Sequence, residues 1–368
     1  MAVMSYDIIV RQLAIRSDVL IENFKPGSTP TIPYSSPSTH NATSTALEKW
    51  DLHPAAIHPY NPDLIYTRVS GYGQTGPWEP RPGYASVCEA ESGFRYINGF
   101  PDEASGALNG PPVRPNISLG DSVAGLHAAF GTVLALLQRQ RKKEAGEAGG
   151  TTVDVSILES MLNLMEGIIP EYDRKSKIRG PSGSSVTGIV PTNAYPCLPA
   201  SSSSTTPVYI VIGANGDTLY ARLMHLIGAP HLASPQYAQN HQRAVPAAQS
   251  AIEEAIRAWT SVRSTTDVEQ ALEAAKIPVG RVVNVKDMVE QGEQLRARGA
   301  IQDVWVPSKG EDGWSVKMQG TFPVLEGCEA KPRWAGPDLG AHTGDVLGGL
   351  LGLSEAELQR LKEKDIIG

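Results

Sequence analysis

Short runs that read as buried strands alternate along this chain with runs of helical period, and that alternation restricts the fold more than any other feature. Residues 7–15 carry an amphipathic helical pattern, and Asp18-Val-Leu-Ile-Glu22 reads as a short strand. Asp63-Leu-Ile-Tyr-Thr-Arg-Val-Ser70 reads as a second strand. A long helix is signalled from Ser118, with Leu126, Phe130, Val133, Leu134 and Leu137 recurring at helical spacing. Gly149-Gly150 breaks the pattern, residues 151–157 alternate as a strand, and residues 158–168 return to helical period. Strands separated by helices predict an α/β fold built on a largely parallel sheet.

The chain has 368 residues, enough for two domains or one large one with an added module. We expect a large domain over residues 1–185, a smaller α+β domain over 186–319, and a C-terminal segment, 320–368, returning to the large domain. Pro, Ser and Thr crowd residues 26–45 with almost no periodicity, which marks an insertion. A second Gly/Pro/Ser-rich stretch, 179–206, leads to a strand at 208–212 and the turn Gly213-Ala-Asn-Gly216. Helices follow to about residue 299, and a charged helix begins at Ser354.

With 32 Lys and Arg against 39 Asp and Glu, the net charge is −7, which argues against a nucleic-acid partner. The basic run Arg139-Gln-Arg-Lys-Lys143 reads as cations closing a helix. No apolar stretch approaches the roughly 18 residues that span a bilayer, so no membrane partner is expected. Residues 1–6 show neither a secretory nor a transit leader. Cys88, Cys197 and Cys328 form neither a disulfide framework nor a metal motif, which fits a reducing compartment.

Gly71-x-Gly73-x-x-Gly76 matches the dinucleotide fingerprint, but Pro77, Pro80 and Pro82 forbid the helix that must follow. The eight histidines have no metal spacing, and no Gly-x-Ser-x-Gly elbow occurs. Asp121 sits where coil turns into the long helix. As an N-cap it would accept helix amides; as a carboxylate facing a cleft it would be a nucleophile. The residues alone leave both open. Gly213 to Gly216 is likewise either an ordinary turn or a set of amides offered to an oxyanion.

Several stretches occur in an order that resembles the class III CoA-transferase family, the formyl-CoA and carnitine-CoA transferase group. They are Val19-Leu-Ile-Glu-Asn-Phe-Lys-Pro-Gly27, Ser70-Gly-Tyr-Gly-Gln-Thr-Gly-Pro77, Arg81-Pro-Gly-Tyr84, Gly120-Asp-Ser122, Val153-Asp-Val-Ser156 with Glu159, Gly188-Ile-Val-Pro191, Asn240 with Arg243, and Leu339-Gly-Ala-His-Thr343. The resemblance implies a Rossmann-like large domain, a small domain, and an interlocked homodimer. It implies transfer of CoA from an acyl-CoA, succinyl-CoA being one candidate, to a free carboxylic acid.

By the same resemblance Asp121 is the catalytic nucleophile, forming first a mixed anhydride and then an aspartyl-CoA thioester. Asn23, Phe24, Lys49, Gly83 and Tyr84 are implied CoA contacts, and Gly213, Ala214, Asn215 and Gly216 the glycine loop that closes over the intermediate. CoA and acyl-CoA are substrates; no metal and no tightly bound cofactor are implied. The cytoplasm and the mitochondrial matrix both fit. Tyr84 in place of a histidine favours transfer over racemisation. Two departures stand out: the family pattern begins several dozen residues upstream of Met1, and Ala85 replaces a customary acidic residue. They keep open, as alternatives, an inactive truncated homologue and an acyl-CoA racemase.

Overall fold

The computed structural model describes residues 6–26, 47–102, 104–199, 208–307, 313–328 and 330–367. Residues 27–46, most of the expected insertion, lie outside it, as does the serine run at 201–204. Three strands form one parallel sheet in the order β1-β2-β3: Val19–Glu22, Ile65–Ser70 and Thr151–Ser156. The register pairs Val19 with Ile65 and Ile65 with Thr151. β2 is the middle strand and is buried on both faces, including its polar residues Thr67, Arg68 and Ser70.

The helix Leu119–Glu144 crosses back from β2 to β3. Its sheet-facing side is Ala124, Ala128, Thr132 and Ala135, spaced at three to four residues and all buried. Small side chains let the helix lie close, and the Thr67 and Thr132 hydroxyls hydrogen-bond at 2.7 Å between strand and helix. The large apolar residues that announced the helix point the other way: Leu126 is 70% and Phe130 65% exposed, and Val133, Leu134 and Leu137 are exposed too. This helix also corrects the expectation about membrane length. Over 18 residues its mean hydropathy reaches 1.3, so by length and composition it would cross a bilayer. In the fold it lies along the sheet.

At the end of that helix the glycine pair has a steric cause. A Cβ at Gly149 would collide with Arg139, and one at Gly150 with the Pro62 carbonyl. The helical period read over residues 158–168 runs as two helices, Ile157–Asn163 and Ile168–Lys175. Glu166, at φ +49°, turns the backbone left-handed between them.

A second sheet, antiparallel, joins β4 (Thr192–Cys197), β5 (Val208–Gly213) and β6 (Val279–Arg281). Helices Asp217–Leu226, Pro246–Thr260 and Thr265–Ala274 pack on it around Tyr195, Ile210, Ile212, Tyr220, Leu223 and Ile256. β7 (Ile301–Val306) and β8 (Trp314–Gln319) pair antiparallel beyond it. The last two helices, Thr343–Leu351 and Glu355–Lys362, bury Leu347, Leu358 and Leu361 with Ile9 of the first helix, Tyr6–Arg16.

Candidate active site

A cavity of about 620 Å³ opens at the carboxyl ends of the parallel strands. Ile21 and Glu22 come from the end of β1, Val69 and Ser70 from β2, and Ile157 follows β3. Ligands of open parallel sheets bind on this side, where loops diverge. Asp121, Gly125, Ala128 and Ala129 of the long helix make one wall, with Asn23, Phe24, Gly83 and Tyr84 opposite them. The chain thus gathers five of the residues singled out from sequence into one space, although they lie up to a hundred positions apart.

Asp121 is the third residue of the helix, and Ser118 is the N-cap, without a side-chain cap hydrogen bond. The capping role considered for Asp121 is therefore not its role. Its side chain is exposed to the cavity, and no described residue forms an ion pair with it. A carboxylate in the first turn of a helix faces the amide end of the helix dipole.

The Asn23-Phe24 loop is set by a buried ion pair. Arg68 Nε donates to Glu22 Oε1 at 2.7 Å, and the Phe24 amide donates to Glu22 Oε2 at 2.7 Å. Phe24 itself stays exposed on the cavity rim. Lys49 lies in a 3-10 turn, Glu48–Trp50, and its side chain lies outside the described residues.

Glycine chemistry brings the Tyr84 loop against β2. A Cβ at Gly71 would meet the Gly83 carbonyl at 2.7 Å, and one at Gly83 would meet the Tyr72 ring at 2.6 Å. Only two glycines allow this backbone approach. Tyr84 is 82% exposed beside it. Tyr72, Trp78 and Arg81 brace the loop: Arg81 stacks on both rings and donates to Glu91 at 2.6 Å, while the Tyr72 hydroxyl donates to Glu91 at 2.5 Å. Burial and the Glu91 contact push the Tyr72 hydroxyl up to about 12, so it stays protonated. Burial likewise pushes the Cys88 thiol up to about 11, which leaves it no nucleophile at neutral pH.

The Val153-Asp-Val-Ser156 stretch serves the same loops. Asp154 accepts the Gln74 amide at 2.9 Å, and Ser156 caps the next helix by accepting from the Glu159 amide at 3.2 Å. No helix follows Gly76, in keeping with the rejected dinucleotide fingerprint. Among the described residues no group of His, Cys, Asp and Glu could hold a metal.

Gly213 to Gly216 connects β5 to the helix Asp217–Leu226, with Gly216 as its N-cap. Ala214 is buried and Asn215 exposed, and none of the four lines the cavity. No neighbour crowds Gly213, so internal packing does not demand a glycine there. Arg243, with 0% exposure, fixes this loop. Its Nη2 donates to the Asn215 carbonyl and to Asp217, its Nη1 to the Tyr237 and Ala238 carbonyls, and its Nε to the Val190 carbonyl. Asn240 holds the same 188–190 stretch, accepting the Val190 amide and donating to the Gly188 carbonyl.

Sequence reasoning missed Glu22, Arg68, Arg81 and Glu91 as parts of the site. Arg81 was visible as the first residue of Arg81-Pro-Gly-Tyr84 and Glu22 within Val19-Leu-Ile-Glu-Asn-Phe24, whereas Arg68 and Glu91 gave no local signal of a site role, because each is explained by a distant partner.

The parallel sheet thus carries a cavity at its carboxyl edge, with the Asp121 carboxylate of the helix amino end in its wall. The model of CoA-transferase family III matches residues 38–343. The chain is 36% identical over 360 residues to a succinyl-CoA–D-citramalate CoA-transferase of Chloroflexus aurantiacus, covering 98% of this chain and 79% of that protein. It is 31% identical over 357 residues to a succinyl-CoA–L-malate CoA-transferase alpha subunit of the same organism, covering 97% and 73%. A crystal structure of a CaiB/BaiF family protein from Brucella suis superposes with TM-score 0.69 at 24% identity, over 94% of this chain and 78% of that one, a likeness of fold. The chain belongs to CoA-transferase family III and is a CoA-transferase.

Proposed function

We propose that the protein moves CoA from succinyl-CoA or a related acyl-CoA to a free carboxylic acid, with Asp121 as the nucleophile. The observation that carries this reading is the unpaired Asp121 carboxylate on the wall of the cavity that Asn23, Phe24, Gly83 and Tyr84 complete. An Asp121 oxygen attacks the thioester carbonyl, the C–S bond breaks, and CoA leaves as a thiolate while a mixed anhydride forms. The thiolate then attacks the aspartyl carbonyl, releasing the donor acid and leaving an aspartyl-CoA thioester. The acceptor carboxylate attacks that thioester, and the returning thiolate takes the acceptor's acyl group and frees Asp121. No water enters the cycle, so anything that excludes it protects both intermediates. We assign Asn23, Phe24, Gly83, Tyr84 and Lys49 to CoA, and Gly213 to Gly216 to the loop that covers the intermediate. The succinyl donors in the names of the two relatives support a dicarboxylate-derived donor.

We also propose a homodimer. The exposed face of Leu126, Phe130, Val133, Leu134 and Leu137 is an apolar stripe of the kind that a second chain covers.

Wild type and Asp121→Ala are each mixed with succinyl-CoA and a panel of carboxylic acids. New acyl-CoA species are followed by mass spectrometry, and hydroxylamine traps the aspartyl thioester as a hydroxamate. Transfer and a trapped adduct on residue 121 in wild type, both gone in Asp121→Ala, are the expected result. Transfer that survives the substitution would remove Asp121 from the chemistry.

A further inference from the structure

We propose that Glu89 is a positioning residue for the transfer reaction, holding the helix turn that carries the nucleophile. This rests on Asp121 being that nucleophile. Helix amino ends leave several amides without an internal partner, and Ser118 supplies no side-chain cap here. Glu89, on the neighbouring helix Ala85–Glu91, supplies it from outside: the Gly120 amide donates to Glu89 Oε1 at 3.3 Å. The Glu89 side chain has 0% exposure, and its other oxygen accepts from both Arg95 Nε, at 3.1 Å, and Nη2, at 2.9 Å.

A buried carboxylate gripped by a guanidinium fork has one orientation, so the oxygen turned to Gly120 has one place to be. Packing closes the clamp from the sides. A Cβ on Gly120 would stand 3.0 Å from the Ala85 Cβ and 3.3 Å from Ile157 Cγ2. The residue just before Asp121 is thus pinned by a hydrogen bond and wedged between two side chains. Gly120, having no Cβ, is what lets these two side chains close on it. Arg95 balances the Glu89 charge, so the cap places no net second negative charge beside the nucleophile.

Displacing a reacting group by about 1 Å costs on the order of 100-fold in rate. Loss of the clamp should therefore lower kcat while leaving acyl-CoA binding alone, because Glu89 does not line the cavity. Steady-state transfer, thermal melting and the single-turnover rate of hydroxamate formation are measured for wild type, Glu89→Gln and Glu89→Ala. Glu89→Ala should lose roughly 10- to 100-fold in kcat with KM for acyl-CoA within about twofold of wild type. Glu89→Gln, which keeps one oxygen for the Gly120 amide, should fall between them. Variants within twofold of wild type in kcat would overturn the assignment, as would a loss that tracks only the unfolded fraction. If Glu89→Ala does not fold, Arg95→Lys keeps the charge but removes the fork; an unchanged kcat there is equally fatal. A wild type that forms no adduct on Asp121 overturns the nucleophile reading and this one together. A normal adduct with unaffected Glu89 and Arg95 variants overturns this one alone.

Discussion

The two three-stranded sheets among the described residues bury their apolar residues in opposite styles. Around the antiparallel sheet the large side chains go inward: Tyr195, Ile210, Ile212, Tyr220, Leu223 and Ile256 make a closed core with a fully buried arginine at its edge. Around the parallel sheet the helix Leu119–Glu144 buries alanines and a threonine, and turns its leucines and phenylalanine outward. The first unit closes its core among its own residues. The second leaves a cavity on one side and an exposed apolar helix face on another. Its small-residue packing brings the helix close enough for Asp121 to reach the cavity, at the cost of exposed apolar area. Four predictions test that contrast.

The largest effect belongs to the open unit. Asp121→Ala should reduce transfer by about 10⁴-fold or more while the melting temperature holds, since the side chain is exposed and supports no packing. A parallel loss of folded protein would mean that this part of the molecule is closed after all.

The closed unit should answer in stability. Arg243→Leu leaves the carbonyls of Val190, Tyr237, Ala238 and Asn215 without their donor. Unmade buried hydrogen bonds cost about 1–3 kcal/mol each, and with partial relaxation we expect on the order of 3 kcal/mol in urea unfolding. A midpoint unchanged from wild type would show that the loop is not held through this residue.

Charging the outward face, by Leu126→Asp with Phe130→Asp, should leave the chain folded and halve the mass seen by light scattering. Wild type running as a monomer would break the comparison at that point, because nothing would then cover the face. The smallest effect is chemical. Cys88 is buried, with its thiol near 11, while Cys328 is exposed. Iodoacetamide at pH 8 should label Cys328 and spare Cys88 until the protein unfolds; early labelling of Cys88 would mean that the wall behind the cavity opens.

Much of this was legible in the chain. The sequence marked β1, β2, β3, β5 and the long helix, because strand and helix periods and glycine breaks are local properties, but it missed β4, β7 and β8 and read helices across β6. Residues 151–157 and the start at Ser118 fall within a residue of the observed elements. It also marked Asp121, Gly83 and Tyr84, through short motifs whose residues touch one another or the same loop. Tertiary structure alone decided which side of the long helix is buried. Leucine and alanine stripes have the same period, so hydropathy picks the larger residues, whereas close approach to the sheet picks the smaller. It alone joined Glu89 to Gly120, Arg68 to Glu22, and Arg243 to four separate carbonyls. A charged residue reads the same in sequence whether it faces water or a partner thirty to fifty positions away, and only folding supplies the partner.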